Sequence, residues 1–322
     1  MDAAQEGLGM APRRIFSRKQ QLAVAIPCHN EATTITGVVQ GFHKALPDAA
    51  IYVFDNASTD ASTELASNAG AEVRRVAALG KGNVLRAIFD ELREDVIVVV
   101  DGDDTYFADD IHALIAPVLA GEADMVVGER LAAASDANMK RMNQFGNRMI
   151  VSYINRLFGT KFRDVLSGYR AVNRRFVESV PVLTSGFEVE TEITLQALAE
   201  GLRVVEVPIR YRSRPEDSHS KLRPFADGYR IMLTAAILLR DHRPLRVFGA
   251  VAVVFWLMAA VAGVLRLMNL FGQEGLPNSI LGGIILFSLP TGLIALGIGL
   301  SLNAINTRFQ EVKNFLRRSR NQ

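Results

Sequence analysis

The chain has 322 residues, 49% of them hydrophobic, and a net charge of only +2. That length holds one sizeable α/β domain plus an appendage, and the near-neutral balance carries no nucleic-acid signature. A single cysteine, Cys28, excludes an internal disulfide framework and a multi-cysteine zinc site, and suits a reducing compartment.

Residues 1–20 form a tail with a small basic cluster (Arg13, Arg14, Arg18, Lys19) and no apolar core of signal-peptide length. Residues 22–26 are a short apolar strand ending at Pro27; Asn30 is placed to cap the next helix, with Glu31 in its first turn. Residues 51–54 make a second strand ending at Asp55, after which Ser58, Thr59 and Asp60 open a helix that Gly70 closes. Residues 73–76 are a third strand, and the turn Gly80-Lys81-Gly82 leads into a helix over 83–92. The β-branched run 96–100 reads as a strand buried on both faces, and 125–127 as another. This alternation predicts an α/β fold with a doubly wound, mostly parallel sheet.

Over 139–158 the apolar residues Met142, Phe145, Met149, Tyr153 and Leu157 recur at helical spacing, interrupted by Arg141, Arg148 and Arg156. Such a basic amphipathic helix either lies on a membrane surface or covers a core. Ser185 to Glu188 reads as a capping box opening a helix that Gly201 ends. Glu188, Glu190 and Glu192 are then most simply first-turn acids favoured by the helix dipole, with a role at the acceptor site as the alternative. Residues 204–211 return as a strand and close the globular part.

From Arg246 the character changes. Residues 247–265 are uncharged between Arg246 and Arg266; at ~1.5 Å per residue they span roughly 28 Å, close to the hydrocarbon thickness of a bilayer. Residues 275–307 are a second uncharged stretch, interrupted by Pro290. Arg240, Arg243 and Arg246 precede the first span, and Arg308, Lys313, Arg317, Arg318 and Arg320 follow the second. The positive-inside rule puts both flanks in the cytoplasm. The spans contain no acid or lysine, so the hairpin reads as an anchor and oligomerisation surface of a homo-oligomer, not as a transport path.

The chemistry gathers at strand ends. Asp101-Gly102-Asp103 follows the run 96–100 directly, and open α/β sheets bind ligands outside the carboxyl ends of their strands. Two carboxylates two residues apart suit Mg²⁺ or Mn²⁺ shared with substrate phosphates. Pro27 to Glu31, Asp55 to Asp60 and Gly80-Lys81-Gly82 stand at neighbouring strand ends. His29, His112, His219 and His242 have no metal-ligand spacing.

These motifs resemble the family 2 glycosyltransferases with a GT-A (Rossmann-like) fold, in particular the branch that glycosylates polyprenyl phosphates, dolichol-phosphate mannosyltransferases among them. The resemblance covers residues 22–221, and the membrane hairpin extends it. It rests on Pro27 to Glu31, Asp55 to Asp60, Gly80 to Gly82, Asp101 to Asp103, Gly128-Glu129-Arg130, Asp164 to Arg170, Glu206 to Ile209 and Arg214 to Lys221, in that order. Asn56 stands where a second acid is common, and Thr105 where a Gln often follows the metal motif.

The resemblance implies a nucleotide-sugar site of Pro27, Asn30, Glu31, Asp55, Lys81, Asp101, Gly102 and Asp103, with Asp101 and Asp103 as metal ligands. It implies Asp103, Arg130, Arg148, Asp164 and Lys221 as the catalytic set, with Arg130, Arg148, Arg212 and Arg214 at the acceptor phosphate. The expected reaction is inverting, metal-dependent transfer of a hexose from a UDP- or GDP-sugar to a dolichyl or undecaprenyl phosphate. The expected setting is a multi-pass protein of the plasma membrane, with catalytic domain and both termini cytoplasmic. The domain plan is a tail (1–20), a GT-A domain (21–221), a juxtamembrane amphipathic segment (222–244), two membrane helices (about 247–267 and 279–303, within 245–307) and a basic tail (308–322). Two alternatives stay open: transfer to another lipid or glycan, and a non-catalytic membrane scaffold of the same fold.

Overall fold

The computed structural model describes residues 20–130, 141–214, 224–270 and 275–320. In chain order its elements are β1 (Leu22–Cys28), α1 (Ile35–Ala45), β2 (Ala50–Asp55), α2 (Ser62–Asn68), β3 (Glu72–Arg75), α3 (Lys81–Glu91) and β4 (Val96–Val99). There follow α4 (Ile111–Leu119), β5 (Met125–Arg130), α5 (Arg141–Phe158), β6 (Arg170–Asn173), α6 (Arg174–Ser179), α7 (Val189–Ala199) and β7 (Val204–Ile209). The chain ends in α8 (Pro224–His242), α9 (Pro244–Leu270) and α10 (Asn278–Arg320).

The seven strands form one sheet in the order β3-β2-β1-β4-β6-β5-β7. β1 pairs in parallel with β2 and β4, and β5 with β7. β6 runs antiparallel to both β4 and β5. Two reversals cancel, so β1, β2, β4, β5 and β7 all end on one edge. β6 is the element the sequence reading does not separate from its motif; being antiparallel, it makes the sheet mixed.

The unbroken apolar strands follow from burial on both faces. Val24, Ile26, Val98 and Val126 pack with Ile35, Phe42, Ile111 and Leu114 from α1 and α4. Their alternates Ala23, Ala25, Ile97, Val99 and Val127 pack with Leu85, Ile88, Phe176 and Ile193 from α3, α6 and α7. A third core joins Ile150, Val151, Ile154 and Phe158 of α5 to Leu195 of α7 and Ile231, Ala235 and Leu238 of α8. The buried face of α5 is therefore centred on Ile150 and Ile154, while Met149 of the expected stripe is exposed.

Two capping expectations are corrected. Asn30 does not cap α1; its residue is left-handed, and its side chain accepts from the Thr59 N–H at 2.8 Å. No Ser185–Glu188 box forms, because α7 starts at Val189 with Glu188 at its N-cap and no side-chain capping bond. The Ser185 carbonyl instead accepts from the Gly82 N–H at 3.0 Å.

α9 and α10 pack along each other. Their buried residues are small or evenly spaced: Ala252, Ala259 and Ala262 on one, Leu281, Ser288 and Ala295 on the other. Both are long and apolar enough to cross a membrane, and many of their apolar side chains, Val254, Leu257, Leu286 and Leu293 among them, are exposed.

Candidate active site

The loops after β1, β2 and β4 each turn through a non-glycine residue in the left-handed region: Asn30 (φ 53°), Ala57 (φ 56°) and Asp104 (φ 59°). Such backbone costs on the order of 1 kcal/mol or more per residue and persists where surrounding contacts over-determine it. Here the loops brace one another. Asn30 and Glu31 donate their N–H groups to Ser58 and Ser62 hydroxyls, and Thr34 Oγ1 donates to the Gly102 carbonyl at 2.7 Å. Pro27 lies within β1, paired with Phe54, and its carbonyl borders Gly102.

Asp103 is buried, with both oxygens engaged. Oδ1 accepts from Thr105 Oγ1 at 2.7 Å and from the Thr105 N–H at 3.2 Å. Oδ2 stands 2.5 Å from Arg214 Nη2. Thr105 thus orients the carboxylate. Burial and then the Asp101 charge hold the Asp103 carboxyl above its ordinary range, against Arg214 and the Thr105 bonds. Asp101 is met by Lys81 Nζ at 2.5 Å. A Cβ on Gly168 would stand 2.3 Å from Asp101 Oδ2, so only glycine lets the 164–169 loop close on this turn.

Two hard carboxylates that repel each other, each already facing a cation, are a donor set for a divalent ion such as Mg²⁺ or Mn²⁺. Among the described residues no cluster of three or more His, Cys, Asp or Glu could hold a metal. Water and phosphate would complete the coordination sphere, as Mg²⁺ commonly requires.

Lys81 is the centre of a buried relay. Its ammonium lies 2.5 Å from Asp101 Oδ1 and 2.5 Å from Glu190 Oε1. Burial opposes the charge, but the two carboxylates outweigh it and raise the lysine well above its ordinary range. The turn around Lys81 is rigid. Gly80 (φ 125°) and Gly82 pack so closely on the 184–185 backbone that a Cβ would stand 2.2 Å from the Ser185 carbonyl or 2.1 Å from that of Thr184. Glu192 holds that backbone, accepting from the Leu183 and Thr184 N–H groups and the Thr184 hydroxyl. Asn56 ties the turn to β2: its amide donates to the Val76 and Ala78 carbonyls and accepts from the Gly80 N–H. An acid at this position could not donate twice. Glu190 and Glu192 stand in the first turn of α7, as the sequence reading has them, and both are buried and partnered.

At the end of β5, Arg130 grips Asp164 with a two-point fork, Nε to Oδ2 at 2.6 Å and Nη2 to Oδ1 at 2.8 Å. Its guanidinium lies over the Tyr211 ring, 5.4 Å from the centroid. Glu206 accepts from the Asp164 N–H at 2.7 Å and fixes the loop. Arg212 pairs with Asp104, and its N–H donates to the Thr105 carbonyl at 2.9 Å. Arg148 stands apart, exposed on α5. Lys221 lies outside the described residues, as do 131–140 and 215–223.

Asp55 is buried and accepts from the Ser58 N–H at 3.1 Å. It borders a cleft of about 690 Å³ between the ends of β2 and β3, lined also by Ser58, Asp60, Arg75 and Val76. The edge therefore carries an open polar cleft at one end, the carboxylate pair in the middle and the arginine fork at the other. Sequence reasoning names Glu190 and Glu206 without their partners Lys81 and the Asp164 N–H, and assigns Tyr211 no role beside Arg130, because these partners lie far away in the chain.

The model of Glycosyl transferase family 2 matches residues 23–180. A glycosyltransferase of Haloferax volcanii, AglJ, is 35% identical over 231 residues, 71% of this chain and 76% of that protein. A dolichyl-phosphate hexose transferase of the same organism is 29% identical over 207 residues, 64% of this chain and 89% of that protein. Glucosyl-3-phosphoglycerate synthase from Mycobacterium tuberculosis, solved with Mn²⁺, UDP-glucose and phosphoglyceric acid, shares the fold at a TM-score of 0.56. It is 21% identical, with 70% of this chain and 80% of that one covered. An edge of this construction and likeness of this extent have one meaning: the chain is a member of glycosyl transferase family 2 and a glycosyltransferase.

Proposed function

We propose that the protein transfers a hexose from a UDP- or GDP-sugar to a polyprenyl phosphate at the cytoplasmic face of a membrane, with inversion at the sugar carbon. The observation that carries this reading is α8. Its inner face (Ile231, Ala235, Leu238) packs on α5 and α7, the helix that brings Glu190 to Lys81. Phe225, Tyr229, Leu233 and Ile237, four residues apart, are exposed along it. It runs directly into α9, a helix of membrane-spanning length. An exposed apolar stripe continuous with a membrane span fits the lipid–water interface. It would set the active edge at the depth of a lipid phosphate. The dolichyl-phosphate hexose transferase similarity supports the same acceptor class.

In this reading Asp55, with Pro27, Asn30 and Glu31, forms the nucleotide end of the site. Asp101 and Asp103 would hold Mg²⁺ or Mn²⁺, which when bound neutralises the departing diphosphate. Arg214, with Lys221, accompanies the diphosphate. Lys81 orients Asp101. The acceptor phosphate is already an anionic nucleophile, so it needs alignment more than a general base. Arg130, fixed by Asp164, supplies that alignment, and Arg212, paired with Asp104 on the neighbouring loop, adds positive charge.

The test is to incubate the full-length protein in detergent with Mn²⁺ or Mg²⁺, undecaprenyl or dolichyl phosphate and a panel of UDP- and GDP-hexoses. Nucleotide release and lipid mass are followed. Lipid-dependent release with one donor, abolished by EDTA, is the expected result. Release independent of the lipid overturns the acceptor assignment, and nucleotide-sugar binding without turnover favours a scaffold.

A further inference from the structure

After β7 the chain continues as a short strap, residues 210–214, antiparallel to the segment that follows β4 at the Tyr106–Tyr211 bridge. Its alternate arginines each meet an acid of that segment: Arg214 on Asp103, Arg212 on Asp104 and Arg210 on Asp110. Tyr211, between them, stacks against Tyr106 and lies under the Arg130 guanidinium. Arg214, Arg212 and Tyr211 therefore stand at the carboxylate pair and the arginine fork. The Arg210–Asp110 pair stands outside both.

Asp110 occupies the N-cap position of α4, where an aspartate ordinarily accepts from the helix's own N–H groups, yet its side chain makes no capping bond. Both its oxygens go to Arg210 instead. Oδ1 accepts from Nε at 2.9 Å and from Nη2 at 2.7 Å, and Oδ2 accepts from the backbone N–H at 2.8 Å. The Phe107 ring lies beneath both the Arg210 and the Arg212 guanidiniums, 4.7 and 4.8 Å from its centroid. The Arg210 side chain is 54% exposed, and ion pairs so open to water contribute little to folding. A helix cap forgone for such a pair is explained by what the backbone bond fixes. It holds the main chain two residues before Arg212 and four before Arg214. We infer that Asp110, with Phe107, is a positioning residue of the transfer reaction: it anchors the strap and so sets where Arg212, Arg214 and Tyr211 stand. The inference rests on the reading that these arginines serve the substrate phosphates; Asp110 and Phe107 act only through them.

Asp110→Ser separates anchoring from folding, because serine caps a helix as well as aspartate does and cannot hold a guanidinium. The full-length variant in detergent is read by thermal unfolding, by hydrogen exchange of the 210–214 amides and by calorimetry of UDP and GDP with Mn²⁺, no lipid being added. Its melting temperature should stay within about 4 °C of the wild type. Exchange at 210–212 should rise by about 10-fold or more. Affinity for the better-bound nucleotide should fall by roughly 10-fold, as the strap's arginines lose their place. In an Arg214→Met background the same substitution should weaken that nucleotide by less than about twofold, because residues that act as one unit are not additive. A full 10-fold loss in that background overturns the route through the strap. Wild-type exchange in Asp110→Ser overturns the anchor, and faster exchange with unaltered nucleotide affinity overturns the positioning role. Should Asp110→Ser fail to fold, Phe107→Leu decides by the same exchange and binding measurements. A wild-type protein that binds neither nucleotide overturns the donor reading and this role with it, whereas normal wild-type binding with an indifferent variant overturns the role alone.

Discussion

Arg214 and Thr105 divide Asp103 between them: the guanidinium takes Oδ2 at 2.5 Å and the threonine hydroxyl takes Oδ1 at 2.7 Å. The buried carboxylate is therefore held in one rotamer before any donor arrives. Arg214, from the chain after β7, is the cation already paired with the carboxylate that would hold a divalent ion. Groups that orient a metal ligand commonly carry 10- to 100-fold in affinity.

Thr105→Val keeps the shape of this 1% exposed side chain and removes only the hydroxyl. Its expected effect is a loss of Mn²⁺ affinity by roughly 10- to 100-fold in the presence of UDP or GDP. Calorimetry or Mn²⁺ paramagnetic resonance reads it. Thermal stability should fall by about 1.5–3 kcal/mol, the worth of one hydrogen bond to a charged group. Unchanged Mn²⁺ affinity would remove Thr105 from the orienting role.

The Arg130–Asp164 fork is nearly buried on the Asp164 side, at 5% side-chain exposure. Asp164→Ala leaves a guanidinium without its counter-charge, and breaking such a pair costs about 3–5 kcal/mol. The measurement is a double-mutant cycle of Arg130→Met, Asp164→Ala and both, by denaturant unfolding of the detergent-solubilised protein. The double variant should lose less than the sum of the singles, by about 1–3 kcal/mol. Arg130→Lys keeps the charge but not the fork. It should raise the KM for the lipid phosphate more than that for the donor.

Much of this is legible in the chain itself, and the exceptions share a physical cause. Residues 96–100 declare a doubly covered strand because no polar residue interrupts them, and Asp101 and Asp103 inherit their location from it. β6 escapes because it is four residues long and starts with Arg170. That arginine is fully buried only because the Val165 and Ser167 carbonyls and the Thr194 hydroxyl accept from it. Glu190 and Glu192 read as acids of a helix start, which they are, but the chain alone does not show Lys81 and the 183–184 backbone folded against them. Asn56 reads as a missing acid, whereas its three hydrogen bonds need an amide. In each case the local pattern is unchanged and a partner distant in sequence reverses its meaning.

Gly82→Ala tests the packed support around Lys81. The added Cβ would stand 2.1 Å from the Thr184 carbonyl, a backbone atom that cannot rotate away. The 183–186 loop must shift, at a typical overpacking cost of about 1–3 kcal/mol, and Lys81 moves with it. The variant should remain folded in detergent and lose most of its turnover. A variant with normal turnover would mean that the Lys81–Asp101–Glu190 arrangement is not needed for transfer.

Asp124 contributes to stability on the acid side. It joins three strands: Oδ2 accepts from the Arg203 N–H at 2.9 Å ahead of β7, and Oδ1 from the Asn173 amide at 3.0 Å at the end of β6. Burial alone would raise its carboxyl. The bonds from Arg203 and Asn173 and the charges of Arg175 and Arg203 outweigh that, and hold it below the ordinary range. A depressed folded-state value means that the stabilisation is fully present above the unfolded value of about 3.9. It is lost as the pH falls through the folded value. Asp124→Asn replaces one acceptor with a donor facing donors and should cost about 1–3 kcal/mol. Thermal unfolding of both proteins in detergent should show a constant gap from pH 5 to 8, closing below about pH 4 as the wild-type carboxyl protonates. A gap that stays constant to pH 3 would mean that the Asp124 charge contributes nothing beyond its shape.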